Sequence, residues 1–255
     1  MYKRVNLVFA IVLVAGAIRA QVVNVEQARL LKDSIGWTGQ VSATYQSQHF
    51  RDDLYTGQAR GTLQRKTGSS FWLFLGEATY SASRDVEFAN HQLGHVRYGY
   101  KLHERLRWEG FMQLQTNRPM GIAWRQLTGT GPRWRAVMSK RVRIYLGTVA
   151  MLENEEAAAD ASRLSDLRSS SYASVNFWKE DRYAVAISMY YQPLFSRTQD
   201  YRLLAQGTLS VAMGKRLRLQ AEVNQYFDSA PPSEALNGSL TTSFGLAFEL
   251  GGTQP

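Results

Sequence analysis

From Ile35 onward apolar and polar residues alternate with a period of two, in segments of about ten residues, which is the pattern of strands with one apolar and one polar face. Ile35, Trp37, Val41, Ala43 and Tyr45 alternate with Thr38, Gln40, Ser42, Thr44 and Gln46. A second strand is expected near Tyr55 to Gln64, a third around Trp72, Phe74, Ala78 and Tyr80, and a fourth around Val96, Tyr98, Tyr100 and Leu102. Leu106, Trp108, Met112 and Leu114 mark the fifth, Ile122, Trp124, Trp134 and Ala136 the sixth, and Val142, Ile144, Leu146 and Ala150 the seventh. Leu167 to Trp178, Tyr183 to Tyr191, Tyr201 to Met213, Leu217 to Val223 and Leu240 to Leu250 complete a count of about twelve.

The connections are expected to alternate in length. Lys66 to Ser69, Lys101 to Arg105, Ser139 to Arg141, Lys179 to Asp181 and Gly214 to Arg216 read as tight polar turns. Between them lie less regular segments, His49 to Asp53, Ser83 to Gln92, Glu153 to Asp166, Ser196 to Asp200 and Asp228 to Gly238. Short turns on one side and longer loops on the other are the habit of outer-membrane barrels. A soluble β-sandwich, the structural alternative, has no reason to sort its connections by parity. The predicted fold class is therefore all-β, an antiparallel up-and-down transmembrane barrel over residues 35–250, with 251–255 as a tail.

The N-terminus supports export. Lys3 and Arg4 precede an apolar run from Leu7 to Ile18 and then Arg19-Ala20, the three-part pattern of a signal peptide over residues 1–20. Cleavage is expected after Ala20, with Ala17 as second choice. The run is too short for a spanning helix, and no comparable run follows it. Residues 21–34 carry Val22, Val23, Val25, Ala28, Leu30 and Leu31 without clean alternation and are read as a short plug or lid. The implied location is the outer membrane of a Gram-negative cell. The expected partners are outer-membrane lipid and lipopolysaccharide, and the assembly machinery that would read the last strand, Ser243 to Leu250.

Composition narrows the chemistry. The chain has no Cys, which excludes a disulfide scaffold and thiolate chemistry. A net charge of +9 would suggest nucleic acid in a cytosolic protein, a reading that export removes. Alternation assigns charge to the inner face instead. Arg60, Arg97, Arg107, Arg125, Arg133, Arg135, Arg143, Arg168, Arg202 and Arg218 all fall opposite the apolar residues of their own strands, as do Glu77, Glu109, Glu222 and Glu249. Ten arginines against four glutamates leave an expected surplus of six positive charges in the lumen. Tyr145, Tyr172, Trp178, Tyr190 and Tyr226 are expected to project inward too.

No catalytic, metal or cofactor site is expected. His91, His95 and His103 are close in sequence and read as loop and rim residues, and the four-residue spacing of the first two separates them by about 13 Å on a strand. Ser81 or Ser83 beside His91 or His95 with Asn90 would supply the residue types of a hydrolase, without a Gly-x-Ser-x-Gly elbow. Two functional classes stay open: a non-enzymatic structural or stress-related envelope barrel, and a small anion-preferring channel with an arginine-lined lumen that passes small anions or acidic solutes.

Arg125 to Trp134, Tyr145 to Val149, Met151 to Glu155 and Arg163-Leu164-Ser165 with the strand after them resemble the domain of unknown function 481 family, the salt-induced outer membrane proteins. The resemblance covers most of the mature chain and is sharpest over about fifty residues. It implies an outer-membrane barrel and carries no catalytic signature.

Overall fold

The computed structural model describes residues 25, 26, 28, 29, 35–49, 53–83, 86–118, 121–179, 182–231 and 237–250. The expected signal peptide and C-terminal tail lie outside the described residues. Twelve antiparallel strands close into a barrel. In order they are β1 (Gly36–His49), β2 (Asp53–Lys66), β3 (Ser70–Ser83), β4 (Val86–Lys101), β5 (Leu106–Asn117) and β6 (Ile122–Met138), then β7 (Val142–Ala157), β8 (Arg163–Lys179), β9 (Tyr183–Pro193), β10 (Tyr201–Ala212), β11 (Leu217–Asp228) and β12 (Gly238–Leu250). Each strand pairs with its sequence neighbour, and β1 closes the ring on β12 from Gly39 opposite Leu250 to Thr44 opposite Gly245. Closure leaves no strand at a free edge of the sheet, as hydrocarbon surroundings require.

The strands are longer than the sequence pattern alone indicates. β4 begins at Val86, and β7 runs to Ala157 with β8 resuming at Arg163, so the expected loops at Ser83 to Gln92 and Glu153 to Asp166 are mostly strand. The contrast in connection length shrinks accordingly. What remains is one end with tight turns at 67–69, 102–105, 139–141, 180–182 and 213–216, and an opposite end holding the two longest connections, 194–200 and 229–237. Both β1 and β12 meet the turn end.

Alternation sets the two faces. Trp37, Val41, Leu63, Met112, Leu146, Ile187, Leu219, Phe244 and Phe248 lie exposed on the outer surface. Trp37, Trp72, Trp108 and Trp134 stand near the turn end of their strands, with Tyr98 opposite Trp72 and Tyr100 opposite Trp108. Tyr45, Tyr55, Tyr80 and Tyr191 stand near the loop end. Trp72 and Tyr80 lie eight residues apart on β3, about 26 Å along the strand and about 20 Å along a barrel axis at the usual tilt, close to the apolar band of about 25 Å between two aromatic girdles.

Two features break the simple rule. Ile122, expected on the outer apolar face, is buried, because the register shifts between Ile122 and Trp124. β3 is apolar on both faces over Phe71 to Leu75. Its inner residues Phe71, Leu73 and Leu75 form a buried cluster with Leu93 of β4 and with Val25 and Ala28. The described part of the N-terminal stretch therefore sits inside the barrel, held on an apolar strip of the wall.

Candidate functional site

The lumen is the candidate site, and its charges fall into three networks. The first surrounds Glu26 of the N-terminal stretch. Its carboxylate accepts from Arg29 at 2.6 Å, from Arg97 of β4 at 3.3 Å and from Arg133 of β6 at 2.8 Å. Arg29 also pairs with Glu109 of β5, which lies 3.3 Å from Arg97. Aromatic faces fix the guanidinium groups. Arg29 lies over Phe71, Arg97 over Phe111, and Arg133 stacks 3.7 Å from the centroid of Tyr145 while donating to the Tyr172 hydroxyl. Glycine makes room for this layer. A Cβ at Gly147 would strike the Tyr172 ring, and one at Gly129 would meet Phe111.

The second network lies nearer the loop end and centres on Glu153 of β7. It takes Arg125 of β6 at 2.8 Å, Arg168 of β8 at 2.9 Å and Arg202 of β10 at 2.6 Å. Arg125 also holds Glu155, Arg168 holds Asp200 and Arg202 holds Asp228, which accepts a further bond from Tyr226. The third network joins Arg60 of β2 to Glu77 of β3 at 2.6 Å and to Glu222 of β11 at 3.0 Å.

The remaining inner-face arginines stand toward the turn end. Arg218 lies 3.6 Å from Glu249 and donates to Ser210. Arg143 stacks on Trp178, Arg135 donates to the Glu104 carbonyl, and Arg107 is half-buried. Glu104 itself sits in the turn, where a hydrogen bond from Lys101 holds its carboxyl below the usual range.

The expected lumen surplus of six is corrected. Glu26, Glu153, Glu155, Asp200 and Asp228 are buried carboxylates that join the four expected glutamates, while Arg29 adds one cation. Eleven arginines thus face nine acids among the described residues, a surplus of two. Glu153, Glu155 and Asp228 were assigned to loops only because their strands were read as ending early; each continues the alternation of its strand. Asp200 is buried from a loop, and Glu26 comes from the inserted stretch.

The histidines are corrected as well. His91 and His95 are buried on the inner face of β4, not at a rim. His91 Nδ1 lies 2.9 Å from the Thr116 carbonyl, and His95 Nδ1 lies 3.0 Å from the Gln113 amide oxygen while its ring stacks on Phe111. Ser81 bonds Thr56. The side chains of Ser83 and Asn90 lie outside what the structure describes. Among the described residues no cluster of three His, Asp or Glu could hold a metal ion.

Between the first two networks lies a small cavity of about 60 Å³, bordered by Arg97, Arg125 and Arg202 and by the rings of Tyr172 and Tyr190. Among the described residues no carboxylate lines it.

A closed twelve-stranded wall with charge networks inside is the frame against which known proteins can be compared. The profile of the family described as "Protein of unknown function, DUF481" matches residues 30–250. The chain belongs to that family. No curated protein matches it in sequence. Among solved structures, the NanC porin is similar with a TM-score of 0.54 at 10% identity, covering 84% of this chain and 100% of that one. The COG4313 outer membrane channel from Pseudomonas putida F1 is similar with a TM-score of 0.52 at 11% identity, covering 85% and 95%. At such identities the likeness shows the shared barrel fold of this DUF481 protein alone.

Proposed function

We propose that this protein is a non-enzymatic outer-membrane β-barrel of the Gram-negative envelope, closed at rest by its own N-terminal segment. It is exported by a signal peptide, assembled by the barrel-insertion machinery and surrounded by outer-membrane lipid and lipopolysaccharide. The observation that carries the reading is Glu26, fixed by Arg97 and Arg133 from two strands of the wall while Arg29 grips Glu109. Residues 25, 26, 28 and 29 of this segment, tied by buried ion pairs and seated on Phe71, Leu73 and Leu75, lie inside the barrel in the way of a solute path. Removing either partner of such a pair leaves a buried charge uncompensated, which holds the segment in place.

An anion-preferring channel is the second reading. The cavity bordered by three arginines and, among the described residues, no acid favours it. Planar-bilayer recording of the purified mature protein separates the two. The closed barrel gives no steady conductance. A steady, anion-selective conductance from the unaltered protein overturns the closed reading in favour of the channel.

A further inference from the structure

The positive charge of this protein is not spread over the barrel. Setting aside Lys3, Arg4 and Arg19 of the signal leaves a surplus of six from the formal +9. The five tight turns with their flanking strand ends carry nine cations, from Lys66 through Lys101, Arg105, Lys140, Arg141, Lys179, Arg182 and Lys215 to Arg216, against three acids, Glu104, Glu180 and Asp181. The turn rim thus accounts for the whole excess, and the rest of the mature chain is balanced. The rim also lies beside the outward tryptophans Trp37, Trp72, Trp108 and Trp134. Cations next to a tryptophan girdle stand at the depth of lipid headgroups, where long basic side chains reach phosphate while their stems cover apolar surface.

One place on the rim has the shape of a site. A groove of about 790 Å³ opens between the 102–105 and 139–141 turns, lined by Arg105, Arg135, Lys140, Arg143, the Ser139 hydroxyl region and Trp178. Among the described residues Glu104 is the only carboxylate lining it, and Lys101 already engages that group at 3.3 Å. Arg105 and Lys140 are exposed, whereas Arg135 is anchored on the Glu104 carbonyl and Arg143 on the Trp178 ring. Four cations lining one groove, with its one described carboxylate already held by Lys101, suit a phosphodiester, and Trp108 and Trp134, exposed on the outer face of the flanking strands β5 and β6, offer apolar surface for the chains attached to it.

We propose that this groove binds the headgroup of an anionic glycerophospholipid in the leaflet that the turn end meets. The proposal rests on the membrane placement above and adds a site, a ligand class and an orientation to it. The test uses the full mature barrel folded in detergent micelles, with retained lipid counted by native mass spectrometry. Phosphatidylglycerol is expected to be retained several-fold more than phosphatidylcholine of the same acyl chains. Arg105→Gln with Lys140→Gln should bring the two to parity, while Lys215→Gln with Arg216→Gln, on another turn, should keep the preference. Inorganic phosphate at constant ionic strength should not displace the lipid. Equal retention of both lipids by the unaltered barrel, equal loss in the two double variants, or full displacement by free phosphate each overturns the site. Failure to form a heat-modifiable barrel in any micelle strikes instead at the membrane placement, so the two failures are distinguishable.

Discussion

Glu26→Gln keeps the size and shape of the side chain and removes its charge, which makes it the sharpest perturbation of the closed lumen. Arg29, Arg97 and Arg133 then share Glu109 as their remaining carboxylate partner among the described residues, at distances reaching 4.0 Å for Arg133. Breaking a buried ion pair typically costs about 3–5 kcal/mol, because the surviving partner keeps its desolvation penalty. The segment has an escape. It can leave the wall and let water reach the arginines, and the loss is then limited to what docking contributed. Burial of a Val-sized side chain alone contributes about 1.5–3 kcal/mol, and Val25 is buried on Phe71, Leu73, Leu75 and Leu93. The expected loss therefore lies near the lower end, about 3 kcal/mol, and is read as a lower midpoint in guanidinium unfolding followed by tryptophan fluorescence. The same variant should gain a conductance that the unaltered barrel lacks. Adding Arg133→Gln removes one orphaned cation and should restore part of the stability, with a coupling of about 0.5–3 kcal/mol in the double-mutant cycle. A Glu26→Gln barrel that unfolds at the original midpoint and stays electrically silent refutes the claim that this carboxylate holds the lumen shut.

Glu153→Gln leaves Arg125, Arg168 and Arg202 without their shared partner and should lower the unfolding free energy by about 3–5 kcal/mol, yet it should not open a conductance if the N-terminal segment remains seated. Gly131→Ala forces a Cβ onto the Thr148 carbonyl and the Val149 backbone, neither of which can swing away, so the heat-modifiable folded band on gels should fall sharply; Gly57→Ala, which meets nothing within 4 Å, should leave it unchanged. Phe248→Asp places a charge on the outer face of β12 and should reduce the yield of folded barrel in lipid vesicles, at a cost of up to about 2–4 kcal/mol and less near an interface. Glu249→Gln, next to it but turned inward toward Arg218 at 3.6 Å and half-exposed, should fold normally on the same gels.

Period two is a robust signal, and it carried the strand count, the closure and the sorting of Trp37 or Val41 outward against Thr38 or Gln40 inward, because a one-residue slip would send every side chain of a strand to the wrong face. Strand ends were less legible. Glu153 and Glu155 alternate with Leu152 as regularly as residues in mid-strand, but a run of acids reads as solvated loop until Arg125, Arg168 and Arg202 are seen to converge on it. Their convergence comes from β6, β8 and β10, and no local pattern announces a contact between strands so far apart in sequence. The seat of the N-terminal segment did leave a trace. Phe71 to Leu75 is apolar on both faces, and a strand in a polar-lined barrel has no use for an inner apolar face unless something covers it. Ile122 was misplaced for a different reason: a bulge changes the parity of a strand, and Pro119 and Gly121 just before Ile122 read as the turn between strands and do not mark a bulge inside β6.

Solvation explains why charge is divided as it is. An arginine inside the wall loses water on all sides and needs a carboxylate at hydrogen-bond distance, so the lumen pairs Arg60 with Glu77, Arg202 with Asp228 and Glu26 with three cations at once. A lysine on a turn keeps its water, and an unpaired charge there costs little. Net charge therefore accumulates mainly where it remains hydrated, at the rim, and the same chain presents a nearly balanced interior and a strongly basic end. The two regions should answer differently to salt. Over a Debye length of about 8 Å at physiological ionic strength, added salt screens Lys140 or Lys215 from an anionic surface, while the Glu153 network, closed off from mobile ions, keeps its hold. A reading that placed the excess charge in the lumen would reverse that expectation, with the interior weakening first as salt rises.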